Sequence, residues 1–273
     1  MTATLHIPTH PPRATPQAFG DHLRHWRQHR RLSQLDLAMD AEISTRHLSF
    51  VETGRSVPSR EMVLRLSERL GIPLRERNAL LVAAGYAPMY RERALDDPAL
   101  SPARQAVELI LKSHEPYPAI AIDRYSNLVA ANSVVPHLLV GVDAALLQPP
   151  MNVLRVSLHP QGLAPRLVNL AQWRTHLFER LRQQIAASAD LKLVALLQEL
   201  QAYPVPEGTD LRLEGEHLGI AMPFKLRTPG GVLSFISTIT IFGTPVDVTL
   251  QELAMETFFP ADEFTKQTLQ QLV

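Results

Sequence analysis

The stretch from Ser33 to Gly54 constrains the fold more than any other part of the chain. It holds two short amphipathic segments, and each follows a serine of the kind that caps helix N-termini, Ser33 and Ser44. Only residues 41–43 separate the segments, which leaves room for nothing longer than a tight turn. Gly54 follows the second segment, where a residue that tolerates the left-handed conformation ends a helix. The pattern predicts a helix-turn-helix whose first helix buries Leu35, Leu37, Ala38 and Ala41.

A helix-turn-helix places the start of its second helix in the major groove of DNA. Here the cap Ser44 is followed by three polar residues, Thr45, Arg46 and His47. Arginine can bind both acceptors of guanine, and threonine offers a hydroxyl and a methyl group that suits thymine. An ordinary helical hairpin with a polar outer face has the same spacing, so spacing alone leaves that alternative open.

Residues 17–84 resemble the lambda-repressor-like (XRE-type) helix-turn-helix domain, an all-α DNA-binding domain of five helices. The resemblance is carried by Leu32, Ser33, Gln34, Ala38, Ile43, Leu48, Val51, Glu52, Gly54, Arg55, Pro58 and Ser59. It implies that Gln34 hydrogen-bonds a phosphate, and that a buried pair of Arg27 with Glu52 holds the first helix against the reading helix. Arg55, in the turn after Gly54, can also reach a phosphate.

The same resemblance implies that Thr45, Arg46 and Phe50 face the bases. Two of these positions depart from the family pattern. Thr45 replaces a frequent glutamine, and Phe50 is apolar where a polar contact is common. Phe50 is therefore expected to pack against a thymine methyl group or a sugar.

The charge of the chain is unevenly distributed, although its net charge is zero. Residues 1–95 carry 14 arginines and 9 acidic residues, a net charge of +5, and residues 96–273 carry 13 basic and 18 acidic residues, a net charge of −5. A basic DNA-binding head on an acidic sensor body would show this asymmetry.

The composition narrows the class of protein further. The chain has 273 residues and no cysteine, so it has no disulfides, thiolate metal sites or thiol redox switches. The sequence contains no run of 18 apolar residues, so no membrane span is predicted. Residues 1–16 are predicted to be a disordered N-terminal segment, and they lack the apolar core of a secretory signal. A cytoplasmic protein is expected, with a linker at 85–101 and a second domain at 102–273.

The second domain is predicted to contain two strands, then helices, then three strands. A short hairpin is predicted around residues 123–127, then two long helices at about 164–187 and 191–202, then strands at 217–227 and 232–242. Residues 250–259 fit a strand because Leu253, Met255, Thr257 and Phe259 alternate with Glu252 and Glu256 on the opposite face. They also fit a helix, because Thr249 and Glu252 form a capping-box pattern. The strand is favoured, which gives an α+β, PAS-like domain with an antiparallel sheet.

Several motifs of this domain, together with one in the linker (residues 85–88), resemble the MmyB-like ligand-binding domain. They are residues 85–88 (GYAP), 115–119 (EPYPA), 152–155 (NVLR), 159–162 (HPQG), 242–245 (FGTP) and 258–262 (FFPAD). The resemblance implies a PAS-like regulatory domain with an apolar cavity for a small hydrophobic ligand, such as a fatty-acyl chain.

Residues of the predicted strands and helices supply candidates for that cavity. The apolar candidates are Ile122, Val129, Leu139, Met222, Phe224, Phe235 and Phe259. A domain of this size needs such a core in any case, so ordinary packing is the favoured interpretation for any one of them. An acid headgroup would need a positive or donor group beside the apolar slot, and Asn132, Arg155 and His159 are the candidates. Their structural alternatives are a helix cap for Asn132 and a carboxylate partner for Arg155.

The function predicted is a transcription regulator, more specifically a repressor, that binds palindromic double-stranded operator DNA as a homodimer and needs no cofactor. No phosphate loop, nucleophile elbow, metal triad or cysteine nucleophile indicates an enzyme. An enzyme with an accessory helix-turn-helix and an antitoxin-like protein-interaction module are the alternatives. His22, His25 and His29 share one helix face and could bind a transition metal, but titrating surface histidines are common and no metal site is predicted.

Overall fold

The computed structural model describes residues 16–205, 222–242 and 247–271. The chain divides into two compact units, Met1–Arg91 and Glu92–Val273, and the division falls within the predicted linker 85–101. The predicted disordered segment 1–16 lies outside the described residues except for Pro16, which begins a helix. The 217–221 part of the predicted strand also lies outside them. None of the helices in the described ranges combines the length and apolar character that a membrane span requires.

The described part of the first unit is helical, as predicted. It contains α1 (Pro16–His29), α2 (Gln34–Asp40), α3 (Thr45–Glu52), α4 (Arg60–Arg69) and α5 (Leu74–Ala83).

Local signals set the ends of these helices. The hydroxyl groups of Ser33, Ser44 and Ser59 accept hydrogen bonds from the first turns of α2, α3 and α4. Gly54 and Gly71 follow α3 and α4 with φ of 72° and 58°, the left-handed region that favours glycine. Because these signals are encoded within a few residues of each helix end, the sequence predicts the helices well.

The core of the first unit is built from one face of each helix. Burying a leucine or phenylalanine contributes about 1.5–3 kcal/mol, so the fully buried side chains dominate its stability: Phe19, Leu23, Leu37, Leu48, Val51, Leu66, Leu80 and Leu81. Leu35, expected on the buried side of α2, is instead 57% exposed. The seven-residue α2 buries only Leu37 and Ala38, and Leu35 lies on its other side.

The second unit is built around one antiparallel sheet, in agreement with the predicted α+β class. Its strands are β1 (Ala119–Ile122), β2 (Leu128–Ala131), β3 (Pro223–Thr228), β4 (Gly231–Ile241) and β5 (Ala254–Pro260), in the order β2-β1-β5-β4-β3. The helices are α6 (Ser101–Ser113), α7 (Val135–Leu138), α8 (Val153–Leu158), α9 (Leu170–Ser188), α10 (Leu191–Ala202), α11 (Val248–Gln251) and α12 (Glu263–Gln270).

Both faces of the central strands are covered. On one face Ala119 and Ala121 of β1 pack with Val107 and Leu111 of α6, because alanine lets the helix approach the sheet closely. The other face carries the large core that α8, α9 and α10 form with β3 and β4. Its buried members include Leu154, Leu158, Trp173, Leu177, Leu181, Leu193, Leu200, Phe224, Leu226, Leu233 and Phe235.

The ambiguous stretch 250–259 contains both of the predicted structures. Residues up to Gln251 belong to the short helix α11, and β5 begins at Ala254. The strand prediction is therefore wrong for the first residues and right from Ala254. The helix cap is Asp247, whose Oδ1 accepts from the Thr249 amide at 2.9 Å. Asp247 is buried and paired with Arg93 at 3.1 Å, a contact between distant residues that local sequence does not reveal.

The first of the two long predicted helices is also interrupted. Residues 164–166 form a 3-10 turn, and α9 begins only at Leu170. Between them Val168 donates its amide to the Lys225 carbonyl of β3 at 3.0 Å, and the Asn169 side chain bonds Pro223 and Lys225. These contacts attach the chain to the sheet edge and prevent the helix from starting earlier.

Candidate DNA-reading helix and ligand cavity

The N-terminal turn of α3 is held in place from two sides. The Ser44 hydroxyl accepts from the His47 amide at 3.1 Å, so Ser44 acts as the cap. Leu48 and Val51 are fully buried and fix the rotation of the helix about its axis. The Arg46 side chain is exposed, and Thr45 and His47 are partly exposed. This rotation presents the predicted reading residues on the accessible side of the helix.

Phe50 lies between two arginines on that side. The guanidinium carbon of Arg46 is 5.4 Å from the centre of the Phe50 ring, and that of Arg55 is 6.0 Å away. Contacts of this kind contribute about 0.5–1 kcal/mol at exposed sites. The Phe50 carbonyl also accepts the amides of Arg55 and Ser56, at 2.8 and 3.1 Å. The ring expected to contact a thymine methyl or a sugar thus organises two cations.

The expected pair of Arg27 and Glu52 is present. Arg27 donates from Nε to Oε1 of Glu52 at 2.6 Å and from Nη2 to Oε2 at 2.9 Å. The Glu52 side chain is completely buried. Burial alone would raise the pKa of Glu52, but hydrogen bonds from Arg27 and Gln34, with the charges of Arg27 and Arg24, outweigh it and lower the pKa.

Gln34 has a protein partner in this structure, and its hydrogen bond to a phosphate stays a prediction. Its amide nitrogen donates to Oε2 of Glu52 at 2.8 Å, whereas the sequence predicted a hydrogen bond to phosphate. Gln34 is the first residue of α2, and the helix-turn-helix angle brings it against the end of α3. In this structure it is the third donor of the buried network.

Sequence reasoning missed Gly20, which allows α1 to contact α3 directly. A Cβ atom at Gly20 would lie 2.4 Å from the Glu52 carbonyl oxygen, closer than any side chain permits. The backbone conformation there is ordinary, so no local signal marks the position.

The second unit contains an apolar cavity of about 100 Å³ between the sheet and helices α7, α8 and α9. A single water needs about 10–15 Å³, so the cavity can hold a larger molecule. Its polar lining residues are Ser157 and Glu256. The apolar ones include Ile120, Leu128, Leu138, Leu139, Met151, Leu163, Trp173, Leu177, Phe224, Phe235 and Phe258.

Three of the seven apolar candidates line this cavity, namely Leu139, Phe224 and Phe235. The other four do not. Ile122 is buried against Ile120 and Val135, and Met222 packs on the outside of the core. Val129 and Phe259 are 38% and 42% exposed, since the bulge in β2 and the face of β5 direct them away from the cavity.

None of the three polar candidates lines the cavity, and each has protein partners. Asn132 is buried, where its Oδ1 accepts from the Ala119 amide at 3.2 Å and its Nδ2 donates to Leu111 and Tyr117. It therefore fastens the end of β2 to α6 and β1, and it does not contribute to the cavity wall.

Arg155 and His159 belong to a separate cluster at the surface of α8 and α10. Arg155 donates twice to Glu199, both at 2.7 Å, and the Tyr203 hydroxyl donates to the same carboxylate at 2.7 Å. Burial, followed by the bond to Glu199, raises the pKa of Tyr203 to about 12. The ring of His159 lies edge-on to Tyr203 at 5.0 Å, and its Nδ1 accepts from the Gln161 amide. Neither residue lines the cavity, and the structure gives no support to the ligand role predicted for them.

The residues that do give the cavity its polarity were missed. The Trp173 indole donates to the Ser157 hydroxyl at 2.9 Å, and Arg180 Nη1 lies 3.3 Å from Glu256 Oε1. Glu256 was expected on the face opposite the apolar one, yet it is only 5% exposed. Its burial follows from the central place of β5 in the sheet, which the sequence did not reveal.

Comparison with known proteins gives the following matches. The model of the MmyB-like transcription regulator ligand binding domain matches residues 103–272, and that of a helix-turn-helix domain matches residues 18–80. The clp gene regulator ClgR from C. glutamicum is 27% identical over 26% of this chain and 87% of its own, with a TM-score of 0.23. The restriction-modification controller protein C.AhdI from Aeromonas hydrophila is 32% identical over 23% of this chain and 94% of its own, with a TM-score of 0.22. No curated protein matches.

Proposed function

Because this chain belongs to the family of transcription regulators with an MmyB-like ligand binding domain and carries a DNA-binding helix-turn-helix domain, we propose that it is a repressor that releases its operator when a small apolar molecule enters the cavity. The observation that carries the proposal is the reading end of α3. Its rotation is fixed by buried Leu48 and Val51, while Arg46 remains exposed beside Phe50 and Arg55.

Arg46 is the residue proposed to read bases. Its guanidinium can donate to both major-groove acceptors of guanine, and its contact with Phe50 limits the orientations that it samples. Arg55 and the first-turn residues Thr45 and His47 complete the proposed surface. Arg55 lies beyond the end of α3, where a phosphate contact would set the position of the helix without reading sequence.

Two copies of the chain are proposed to bind a palindromic operator. One reading helix covers a single half-site, and half-sites one helical turn apart are separated by about 34 Å. Ligand that binds one arrangement of the two heads more tightly than another shifts the population toward it. Moving the heads out of this spacing would lose one half-site and hence most of the affinity.

The cavity is proposed to hold an aliphatic chain of fatty-acyl type. Transferring eight to twelve carbons from water would release about 6–10 kcal/mol before binding costs, at about 0.8 kcal/mol per CH₂. That is sufficient for micromolar affinity without any polar contact. The lining supports this class of ligand because sixteen of its eighteen residues are apolar.

A gel shift of the full chain on DNA from its own promoter tests the function. We expect a specific shift whose affinity falls steeply as salt increases, because binding releases counterions from the phosphates. Addition of decan-1-ol as an apolar probe is expected to release the DNA. A protein-interaction module would give no shift at any salt concentration, and that outcome would contradict the proposal.

Filling the cavity should separate sensing from DNA binding. Leu139 is a partly buried lining residue, and Leu139→Trp would occupy space that the alkyl chain needs. We expect the variant to lose decan-1-ol binding in calorimetry, to keep its operator affinity and to resist release. Overpacking would lower stability by about 1–3 kcal/mol.

The matched control is Leu191→Trp, which makes the same leucine-to-tryptophan substitution outside the cavity. Leu191 is 79% exposed and does not line the cavity. It should bind decan-1-ol like the unmodified protein. Equal binding by both variants would remove the cavity as the ligand site.

A further inference from the structure

We infer that the linker couples the cavity to DNA binding, and that its attachment to α11 is the contact through which a ligand changes operator affinity. The attachment, called the linker clamp below, consists of Arg93, Asp247 and Thr249. The inference rests on the proposed ligand-sensing function and specifies how the signal leaves the sensor domain. It follows from the contacts of the linker, the packing beneath it and the place of α11 in the chain.

The first part of the linker is fastened to the head. The side-chain oxygen of Asn78 in α5 accepts from the amides of Met89 and Tyr90, both at 3.0 Å. The Asn78 nitrogen donates in turn to the Tyr90 carbonyl at 2.6 Å. The chain up to Tyr90 therefore belongs to the folded head, although residues 85–101 were predicted as a linker.

The next part of the linker is fastened to the second unit at Arg93. Its Nη1 donates to Asp247 Oδ2 at 3.1 Å, and its carbonyl accepts from the Thr249 hydroxyl at 2.6 Å. Two residues separate this linker clamp from Tyr90, the last head contact described above. A displacement of Arg93 is therefore passed along the chain and is not taken up by a long flexible tether.

The ion pair within the linker clamp ties Arg93 to α11. The Asp247 side chain is 2% exposed, and its other oxygen caps α11 by accepting from the Thr249 amide at 2.9 Å. Removing the guanidinium would leave a buried charge without its counter-charge, which is strongly unfavourable. The ion pair is therefore expected to persist when α11 moves, and the linker is expected to follow the helix.

The helix α11 leads directly into a strand that forms one wall of the cavity. Glu252 ends the helix just before β5, and β5 contributes Glu256 and Phe258 to the lining. Leu253 and Met255 instead belong to the core that β1 forms with α6 on the other face. A molecule that displaces β5 on entering the cavity therefore acts on α11 as well.

A second set of contacts joins α11 to the helical wall of the cavity. Arg124 donates to Glu252 Oε1 at 2.9 Å and also to Asp190, the residue that caps α10. Asp190 follows the end of α9, which contributes Trp173 and Leu177 to the lining. Because α11 is joined to both the strand wall and the helical wall, it can respond to a change in the separation of the two.

The linker is incompletely packed where it meets α11 and α6. Leu95 and Leu100 of the linker line a second cavity of about 110 Å³, together with Leu250 and Leu253. Side chains around a void lack the contacts that a filled core supplies, so shifting the linker there costs less than in a close-packed interior. This space allows α11 and the linker to change position while the domain stays folded.

Reciprocal binding measurements on the full chain test the inference. Calorimetry gives the dissociation constant of decan-1-ol with and without saturating operator duplex, and the ratio of the two values measures the coupling. We expect the unmodified protein to bind decan-1-ol at least about fivefold more weakly on the operator, because the ligand favours the arrangement that releases DNA.

A double variant, Asp247→Asn with Thr249→Val, should release the linker and preserve α11. Asparagine has the same shape as aspartate and caps helices equally well, but it lacks the charge that holds Arg93. Valine removes the hydroxyl donor to the Arg93 carbonyl. We expect this variant to bind the operator, to bind decan-1-ol within about twofold of the unmodified protein, and to show a ratio close to one.

The matched control is Asp262→Asn. Asp262 caps α12 at the opposite end of β5, where its Oδ1 accepts from the Thr265 amide at 2.7 Å. The substitution makes the same chemical change at a helix cap, so this variant should keep the full coupling. Loss of coupling here as well would show that weakening either cap is sufficient, and would overturn the role of the linker clamp.

The outcomes separate the two proposals. A ratio of one in the unmodified protein would contradict the ligand-sensing function itself. Normal coupling in the double variant would leave that function intact and overturn the role of the linker clamp.

Hydrogen exchange of the unmodified chain decides the question if the double variant does not fold. Saturating decan-1-ol should change the exchange rates of amides 93–97 by at least about threefold, because the linker moves with α11. The amides of α5 serve as the internal reference. Equal rates for residues 93–97 with and without decan-1-ol would overturn the inference.

Discussion

Replacing Arg46 with alanine is expected to weaken operator binding by about 1–3 kcal/mol, roughly five- to 150-fold. Binding to DNA of unrelated sequence should change much less. Arg46 is exposed at the first turn of α3, so its removal leaves the core of the domain unchanged. The contact with Phe50 is also lost. Binding to the operator and to a scrambled duplex, measured across a salt series, gives both the affinity and the discrimination.

The comparison variant for this experiment is Arg69→Ala. Arg69 is an exposed residue in the last turn of α4, and its removal lowers the net charge of the head by the same amount. Arg69→Ala should cause the same small loss of affinity for the operator and for the scrambled duplex. If Arg46→Ala also weakened both duplexes equally and only reduced the salt dependence, Arg46 would be a phosphate contact, and the assignment of base reading to it would be wrong.

The Arg27→Met variant is expected to destabilise the head by about 3–5 kcal/mol, because removing one partner of a buried ion pair leaves an uncompensated charge. Glu52 would keep only Gln34 and the more distant Arg24, whose Nε lies 3.7 Å away. Since the whole stability of a small domain is about 5–15 kcal/mol, the head should be largely unfolded under mild denaturant. Hydrogen exchange of the α1 and α3 amides in the full chain measures this loss directly.

The loss should depend on pH in a defined direction. The pKa of Glu52 is lowered in the folded protein, so its contribution to stability is complete above the ordinary value of 4.5 and is lost as the pH falls through the folded value. In Arg27→Met the burial of Glu52 is no longer outweighed, and its pKa should rise. The difference in stability between the two proteins is therefore largest near neutral pH and should shrink below about pH 4.5.

Arg155→Met provides the control for burial. Arg155 and Glu199 form an equally close bidentate pair, but their side chains are 41% and 38% exposed. An exposed pair contributes about 0–1 kcal/mol, so this variant should be close to the unmodified protein in stability. Equal losses in the two variants would show that burial does not govern the strength of these pairs.

The first unit could be predicted from sequence because its signals are local. The hydroxyls of Ser33, Ser44 and Ser59 each accept a hydrogen bond from the amide three residues later. Gly54 and Gly71 mark helix ends through their own backbone conformation. The hydrogen bond of Gln34 to Glu52 was not predicted, because the two residues are eighteen positions apart in sequence.

For the second unit the sequence predicted the fold class, but it did not predict the polar residues that line the cavity. Alternation and turn residues identified the hairpin and the last strands, and the cavity residues Leu139, Phe224 and Phe235 were among the candidates. The polar candidates Arg155 and Asn132 were chosen for their apolar neighbours in sequence. Their partners are 44 and 13 to 21 positions away, so periodicity could not show that they were already paired.

Residue order along the chain therefore specified the helix ends, the alternating strands and the basic reading helix, since each depends on interactions over a few residues. The sheet order β2-β1-β5-β4-β3 was decided only when distant strands met. That order puts β5 at the centre of the sheet and covers both of its faces. Glu256, which alternation would place in water, is consequently a buried carboxylate at the wall of an apolar cavity.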